Sequence, residues 1–121
     1  NFYLKHHPRF NNEVDLTDLF ALKNVHLAPE DIEECFNLCS LHVTAYSTST
    51  FEAARLGIPT IFINPFKSHN YFERDFSYPL NLTISDLEDD KVFSTSSKKI
   101  IKWASAYYES FNANTFLKLI Q

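Results

Sequence analysis

The segment from Leu41 to Asn64 constrains the fold most. Leu41-His42-Val43-Thr44-Ala45-Tyr46 reads as a strand, Ser49 to Leu56 as a helix closed by Gly57, and Pro59-Thr60-Ile61-Phe62-Ile63-Asn64 as a second strand. Two strands joined through a helix within about 25 residues lie parallel, with a right-handed crossover. The chain is therefore expected to be α/β, a Rossmann-like parallel sheet flanked by helices.

The flanking segments agree with this class. Phe2-Tyr3-Leu4-Lys5 is a short β-rich run, and Pro8 holds His7 in extended backbone, so a strand ends at the histidines. Asn11 to Lys23 reads as loop and short helix, and Asn24-Val25-His26-Leu27 as a second brief strand. Pro29-Glu30-Asp31 precedes an apolar-periodic stretch (Ile32, Cys35, Phe36, Cys39), which marks a helix start on geometric and dipolar grounds, with its end expected near Ser40. Alternation of Leu80, Leu82 and Ile84 suggests one more strand, and Ser85 to Glu88 has the spacing of a capping box. From Ser97 to Gln121 one or two helices are expected, with Ile100, Ile101, Trp103, Ala104, Tyr107, Tyr108 and Phe111 as the apolar stripe. The 121 residues carry no repeat or linker, so one domain is the economical reading.

Composition narrows the function classes. A net charge of -4, with no block of Lys or Arg, offers nucleic acid and anionic membranes no general attraction. Hydrophobic residues at 45% and charged residues at 21% are those of a globular chain. Gly57 is the single glycine, which excludes the Gly-rich phosphate loops of dinucleotide-binding Rossmann domains and P-loop enzymes. The Gly-x-Ser-x-Gly elbow, His-Glu-x-x-His and acidic calcium loops are absent too. Cys35 and Cys39, four apart, lack the further ligands a tetrahedral metal site needs and read as buried apolar residues. No signal-peptide pattern or long apolar run occurs, and the chain opens at Asn1 within a strand. A cytoplasmic fragment is expected, with a peripheral position at the inner face of the membrane left open.

Ligands of open parallel sheets bind beyond the carboxyl ends of the strands. Two such ends are chemically distinctive. His6-His7-Pro8-Arg9 offers imidazole and guanidinium donors beside a rigid bend, suited to a phosphate oxygen or a nucleotide edge. Ser47-Thr48-Ser49-Thr50 crosses from strand to helix, so hydroxyls and unpaired N–H groups can point at one anion. Each has a plainer reading: His7 and Arg9 as surface side chains, Ser49 with Glu52 as a capping box.

Lys5-His6-His7-Pro8-Arg9, Cys39-Ser40-Leu41-His42-Val43-Thr44, Tyr46-Ser47-Thr48-Ser49-Thr50-Phe51-Glu52-Ala53-Ala54 and Leu56-Gly57-Ile58-Pro59-Thr60-Ile61-Phe62-Ile63 together resemble the C-terminal domain of GT-B glycosyltransferases. The likeness covers roughly residues 2 to 65 and is nearest to bacterial capsule and lipopolysaccharide enzymes, including the sialyltransferase-like and polyglycerol-phosphate transferase-like branches. The resemblance implies a nucleotide-sugar donor as substrate, no cofactor and no metal. It assigns the donor phosphates to His7, Ser47 and Thr48, and the ribose or sugar to Glu52; Arg9 and Ser49 join the phosphate set on their own chemistry, as a guanidinium donor and a hydroxyl at the helix start. Donors so placed stabilise negative charge on the departing phosphate.

GT-B enzymes keep the acceptor site and catalytic base in an N-terminal domain, and a further strand and helix usually precede the His-Pro strand. This chain carries neither. It is expected to bind donor without transferring sugar unaided, its partner being the missing domain with a glycan or lipid-linked acceptor. Two alternatives stay open: a noncatalytic α/β binding or interaction module, and a nucleotide-sugar 2-epimerase relative, in which Ser47-Thr48-Ser49 replaces the Ser-Gly-Gly of that family.

Overall fold

A computed structural model describes residues 1–7, 9, 14–63, 71–108 and 113–120, with the backbone alone at 71, 90–95, 113, 115 and 116. Pro8, residues 11–13, Asn64 and Phe111, which figure in the expectations above, lie outside the described residues. The chain is mixed α/β, with two parallel two-stranded sheets, and it divides into two compact units, Asn1–Cys39 and Ser40–Gln121.

The first unit runs β1 (Phe2–Leu4), α1 (Thr17–Phe20), β2 (Val25–Leu27) and α2 (Ile32–Asn37). β1 and β2 pair in parallel, Phe2 opposite Val25 and Leu4 opposite Leu27. α2 begins as its acids predict, because the Asp31 side chain caps it by accepting from the Glu34 N–H at 2.9 Å. It ends sooner than expected. The Leu38 N–H bonds Cys35 O and the Cys39 N–H bonds Phe36 O, tightening the last turn into i→i+3 bonds. Cys39 therefore lies beyond the helix and does not share a helical face with Cys35. Cys35 is buried and donates to Pro29 O, while Cys39 is half-buried, and burial pushes its thiol up in pKa with a smaller push from Cys35.

The second unit runs β3 (His42–Thr44), α3 (Ser49–Arg55), β4 (Thr60–Phe62), α4 (Tyr71–Phe76), a 3-10 turn (Ile84–Glu88), α5 (Asp90–Ser105) and α6 (Ala113–Ile120). β3 and β4 are parallel, His42 opposite Thr60 and Thr44 opposite Phe62, so the expected strand–helix–strand unit is present. Its sharpest bend is at Gly57, where φ is 77°. There the Gly57 N–H bonds Ala54 O and the Ile58 N–H bonds Ala53 O, a Schellman closure of α3. A Cβ at Gly57 would lie 3.2 Å from Ile101 Cδ1. Gly57→Ala is accordingly expected to lower stability by roughly 1–2 kcal/mol, mostly from the left-handed backbone, as read from the urea midpoint.

The core of this unit is aromatic. Ala54, Phe72, Tyr78, Leu80, Ile100 and Ala104 are buried together, and Phe51, Phe62, Phe76, Leu82 and Trp103 pack against them. α5 supplies Ser96, Ile100, Trp103 and Ala104, a three-to-four spacing that keeps them on one face against α3. Its surface is not wholly apolar: Ser97 donates to Gly57 O at 2.8 Å and the Trp103 indole N–H to Phe76 O at 2.7 Å. The stripe is narrower than expected, since Ile101 is exposed and Tyr107 and Tyr108 fall past the end of α5.

The strand expected at Leu80, Leu82 and Ile84 does not form. Leu80 is buried and Leu82 packs on the core, but Ile84 is exposed and opens the 3-10 turn. Hydrogen bonding explains the change: the Thr83 N–H and hydroxyl both donate to the Asp86 carboxylate, at 2.7 and 2.9 Å, committing the backbone to a turn. These bonds hold the Asp86 carboxyl below its ordinary pKa. The capping box thus sits at Thr83 and Asp86, two residues before the expected Ser85 and Glu88. α5 likewise starts at Asp90, seven residues ahead of Ser97.

Candidate functional site

In the first unit β1 ends at Leu4, and the next side chain is already engaged. Lys5 Nζ donates to Pro29 O at 2.8 Å and to Glu30 O, tying the strand end to the approach of α2. His6 is half-buried, whereas His7 and Arg9 are exposed. The structure brings His7 and Arg9 together, the Arg9 N–H donating to His7 Nδ1 at 3.2 Å.

In the second unit Ser47 and Thr48 lie between the carboxyl end of β3 and the start of α3, and Ser49 opens α3. The expected capping box of Ser49 with Glu52 is absent. Thr48 is the N-cap residue and its side chain makes no capping bond, while Ser49 is already helical. The part-buried N–H of Ser49 is instead satisfied by Ser47 Oγ at 3.2 Å, a serine turn that takes the donor the box would have used. Glu52 is left exposed on α3. Its charge, together with burial as the larger cause, raises the pKa of Tyr108, over whose ring the Arg55 guanidinium lies at 5.4 Å.

His42 is the site residue that sequence reasoning passes over. Its Nδ1 lies 3.0 Å from Thr60 Oγ1 and its Nε2 3.2 Å from Ser49 Oγ, and Ser49 Oγ in turn donates to Ser47 Oγ at 2.7 Å. Four polar side chains from β4, β3 and the turn thus form one hydrogen-bonded row. Thr60 is anchored from the other side, its buried N–H donating to the Tyr78 hydroxyl at 2.8 Å. Burial disfavours the charged imidazole and lowers the pKa of His42 to about 4. A histidine within an otherwise apolar strand run is the signal the sequence offers for this row.

Of the residues expected to bind donor, His7 and Arg9 therefore belong to the first unit, and Ser47, Thr48, Ser49 and Glu52 to the second. Ser47 is half-buried and Thr48 exposed, while Ser49 Oγ is turned to His42. Among the described residues no group of three or more His, Cys, Asp or Glu could hold a metal ion, and no helix is long and apolar enough to cross a membrane. Compared with models of protein families, with curated proteins and with solved structures, the chain shows no significant match.

Proposed function

We propose that the chain is the donor-binding part of a glycosyltransferase, with a Rossmann-like architecture of the GT-B kind. In this reading the turn between β3 and α3 receives a phosphate oxygen of a nucleotide sugar. One observation supports it above the others: Ser47, Thr48 and Ser49 lie three to five residues past Thr44, the carboxyl end of a parallel strand, beyond which open α/β sheets bind ligands. Ser47 and Thr48 take the phosphate, because Ser49 is occupied by His42. Glu52, exposed on the same helix, faces the ribose or sugar in this proposal. His7 is assigned to the donor by the sequence resemblance, and Arg9 by the guanidinium it offers beside His7. Transfer in such enzymes also requires an acceptor-binding domain, and the proposal assigns donor binding alone to these residues. The cytoplasmic location and the surface-glycan acceptor belong to the same proposal.

A noncatalytic module is the second reading, and a specific observation favours it. Ser47, Ser49, His42 and Thr60 satisfy one another without a ligand. Titration of the ¹⁵N-labelled chain with UDP, CMP and their sugar conjugates separates the two. Amide shifts at residues 46–52 that saturate in the millimolar range or below are the expected result, with residues 6, 7 and 9 reporting separately on the first unit. Unmoved signals at millimolar ligand would sink the donor-binding reading and leave the module.

A further inference from the structure

The half-buried imidazole of His42 has no role in the reading just given. We infer that His42 is a positioning residue that fixes the Ser47 hydroxyl as a hydrogen-bond donor to an anionic phosphate oxygen, an inference that rests on the donor-binding reading.

A hydroxyl has one proton and two lone pairs. Either hydroxyl of the Ser47–Ser49 pair, 2.7 Å apart, can donate; in the proposed order Ser49 gives its proton to Ser47 Oγ, so toward His42 Nε2, 3.2 Å away, Ser49 Oγ accepts, and the reverse order is the one an Nδ1-protonated His42 would reveal. His42 must then carry its proton on Nε2. Nδ1 is left as an acceptor, and the Thr60 hydroxyl, 3.0 Å away, donates to it. Every proton points in one direction, from β4 through β3 to the turn.

Ser47 Oγ ends the row by accepting twice, from the Ser49 hydroxyl and from the Ser49 N–H at 3.2 Å. Both lone pairs are used, and its own proton is the one left to give. Successive donors in one direction polarise each other and strengthen the last. The chemistry that fits is an oxygen with negative charge and no proton of its own, and a cation is excluded because no lone pair remains for it. The same proton order argues against Ser49 as a nucleophile served by His42, since its proton goes to Ser47 and not to the imidazole.

The test uses the full chain with UDP and CMP as probes. The ¹⁵N spectrum of the unliganded protein should show the Nε2-protonated tautomer of His42. His42→Leu and Ser47→Ala should each weaken binding about ten- to a hundredfold, the size of one hydrogen bond to a charged acceptor. The double variant should be no weaker than either single one, because both changes remove the same donor. His42→Gln, whose amide offers an acceptor and a donor, should recover most of the affinity. Should His42→Leu fail to fold, Ser49→Ala breaks the row at its next link and replaces it in the cycle. An Nδ1-protonated tautomer, additive losses, or wild-type affinity in the His42 variant overturns the inference while leaving donor binding intact. If the wild-type chain binds neither probe at millimolar concentration, the donor reading falls and the inference falls with it.

Discussion

Phe72→Ala is expected to cost about 3–5 kcal/mol, the range for deleting a fully buried phenyl ring. Phe72 has no exposed surface and lies stacked on Phe62, with ring centroids 5.2 Å apart, and edge-on to Phe51 at 5.5 Å. Truncation loses the transfer free energy of the ring and leaves a cavity lined by side chains from α3 and β4. These are themselves pinned by other contacts, so collapse into the space is limited. Phe51, for example, is stacked on Trp103 at 5.2 Å with the rings 5° from parallel. Trp103 is the chain's single tryptophan and sits within this cluster, so its fluorescence during urea unfolding reads the loss directly. A change near 4 kcal/mol is a large share of the roughly 5–15 kcal/mol that holds an ordinary domain together. The contrasting substitution is Leu119→Ala, at a side chain 80% exposed, expected to stay within about 0.5 kcal/mol. A Phe72→Ala loss below about 1 kcal/mol would mean that the ring does not anchor this core.

The second large effect is a dependence of stability on pH that originates at His42. Its folded pKa is about 4, against an ordinary value of 6.5, and the cause is burial. Above 6.5 the imidazole is neutral in both states and imposes no penalty. As pH falls from 6.5 toward 4 the unfolded chain takes up a proton that the folded chain refuses, so acid favours unfolding, and below 4 the penalty is complete. Between pH 7 and pH 5 the loss is about 2 kcal/mol. Asp15, Asp75 and Asp86, whose carboxyls are held below their ordinary pKa by hydrogen bonds from Thr17, Arg74 and Thr83, add their own losses at lower pH. The comparison is therefore best made at pH 5 and above. Urea midpoints of wild type and His42→Gln at pH 7 and pH 5 should show a steeper fall in the wild type. The ring signals of His42 should remain those of neutral imidazole at pH 5. Parallel pH dependences in the two proteins would remove His42 as the source.

Both effects depend on residues whose importance is differently visible in the sequence. Phe72 stands in a run, Tyr71-Phe72-Glu73-Arg74-Asp75-Phe76, that carries no periodic signal long enough to read. Its burial follows from packing against Phe51 and Phe62, 21 and 10 residues earlier in the chain, and a local window holds neither. His42 is legible as a strand residue but not as a member of a site. Its partners Ser49 and Thr60 lie 7 and 18 residues away, and only parallel pairing of β3 with β4 sets Thr60 beside it.

Where the expectation failed, a competing local bond decided the outcome. Leu80, Leu82 and Ile84 alternate as a strand should, yet Asp86 draws both donors of Thr83 and turns the chain. Ser49 and Glu52 have capping-box spacing, yet Ser47 reaches the Ser49 N–H first and Ser49 turns to His42. Spacing states which bonds are available, and the neighbours determine which are made.

The amino-acid sequence by itself determined the strand–helix–strand unit of residues 42–62, the start of α2 at Asp31 and the closure of α3 at Gly57. Each depends on backbone geometry or hydrogen bonds within a few residues: φ preference at glycine, a carboxylate one turn from an N–H, apolar side chains in period. Tertiary structure alone decided that His42 is half-buried and neutral, that Ser49 faces inward onto it, and that an aromatic cluster forms the core of the second unit. Those properties arise from desolvation and from partners brought close by strand pairing and helix packing, neither of which is encoded in any one stretch of the chain.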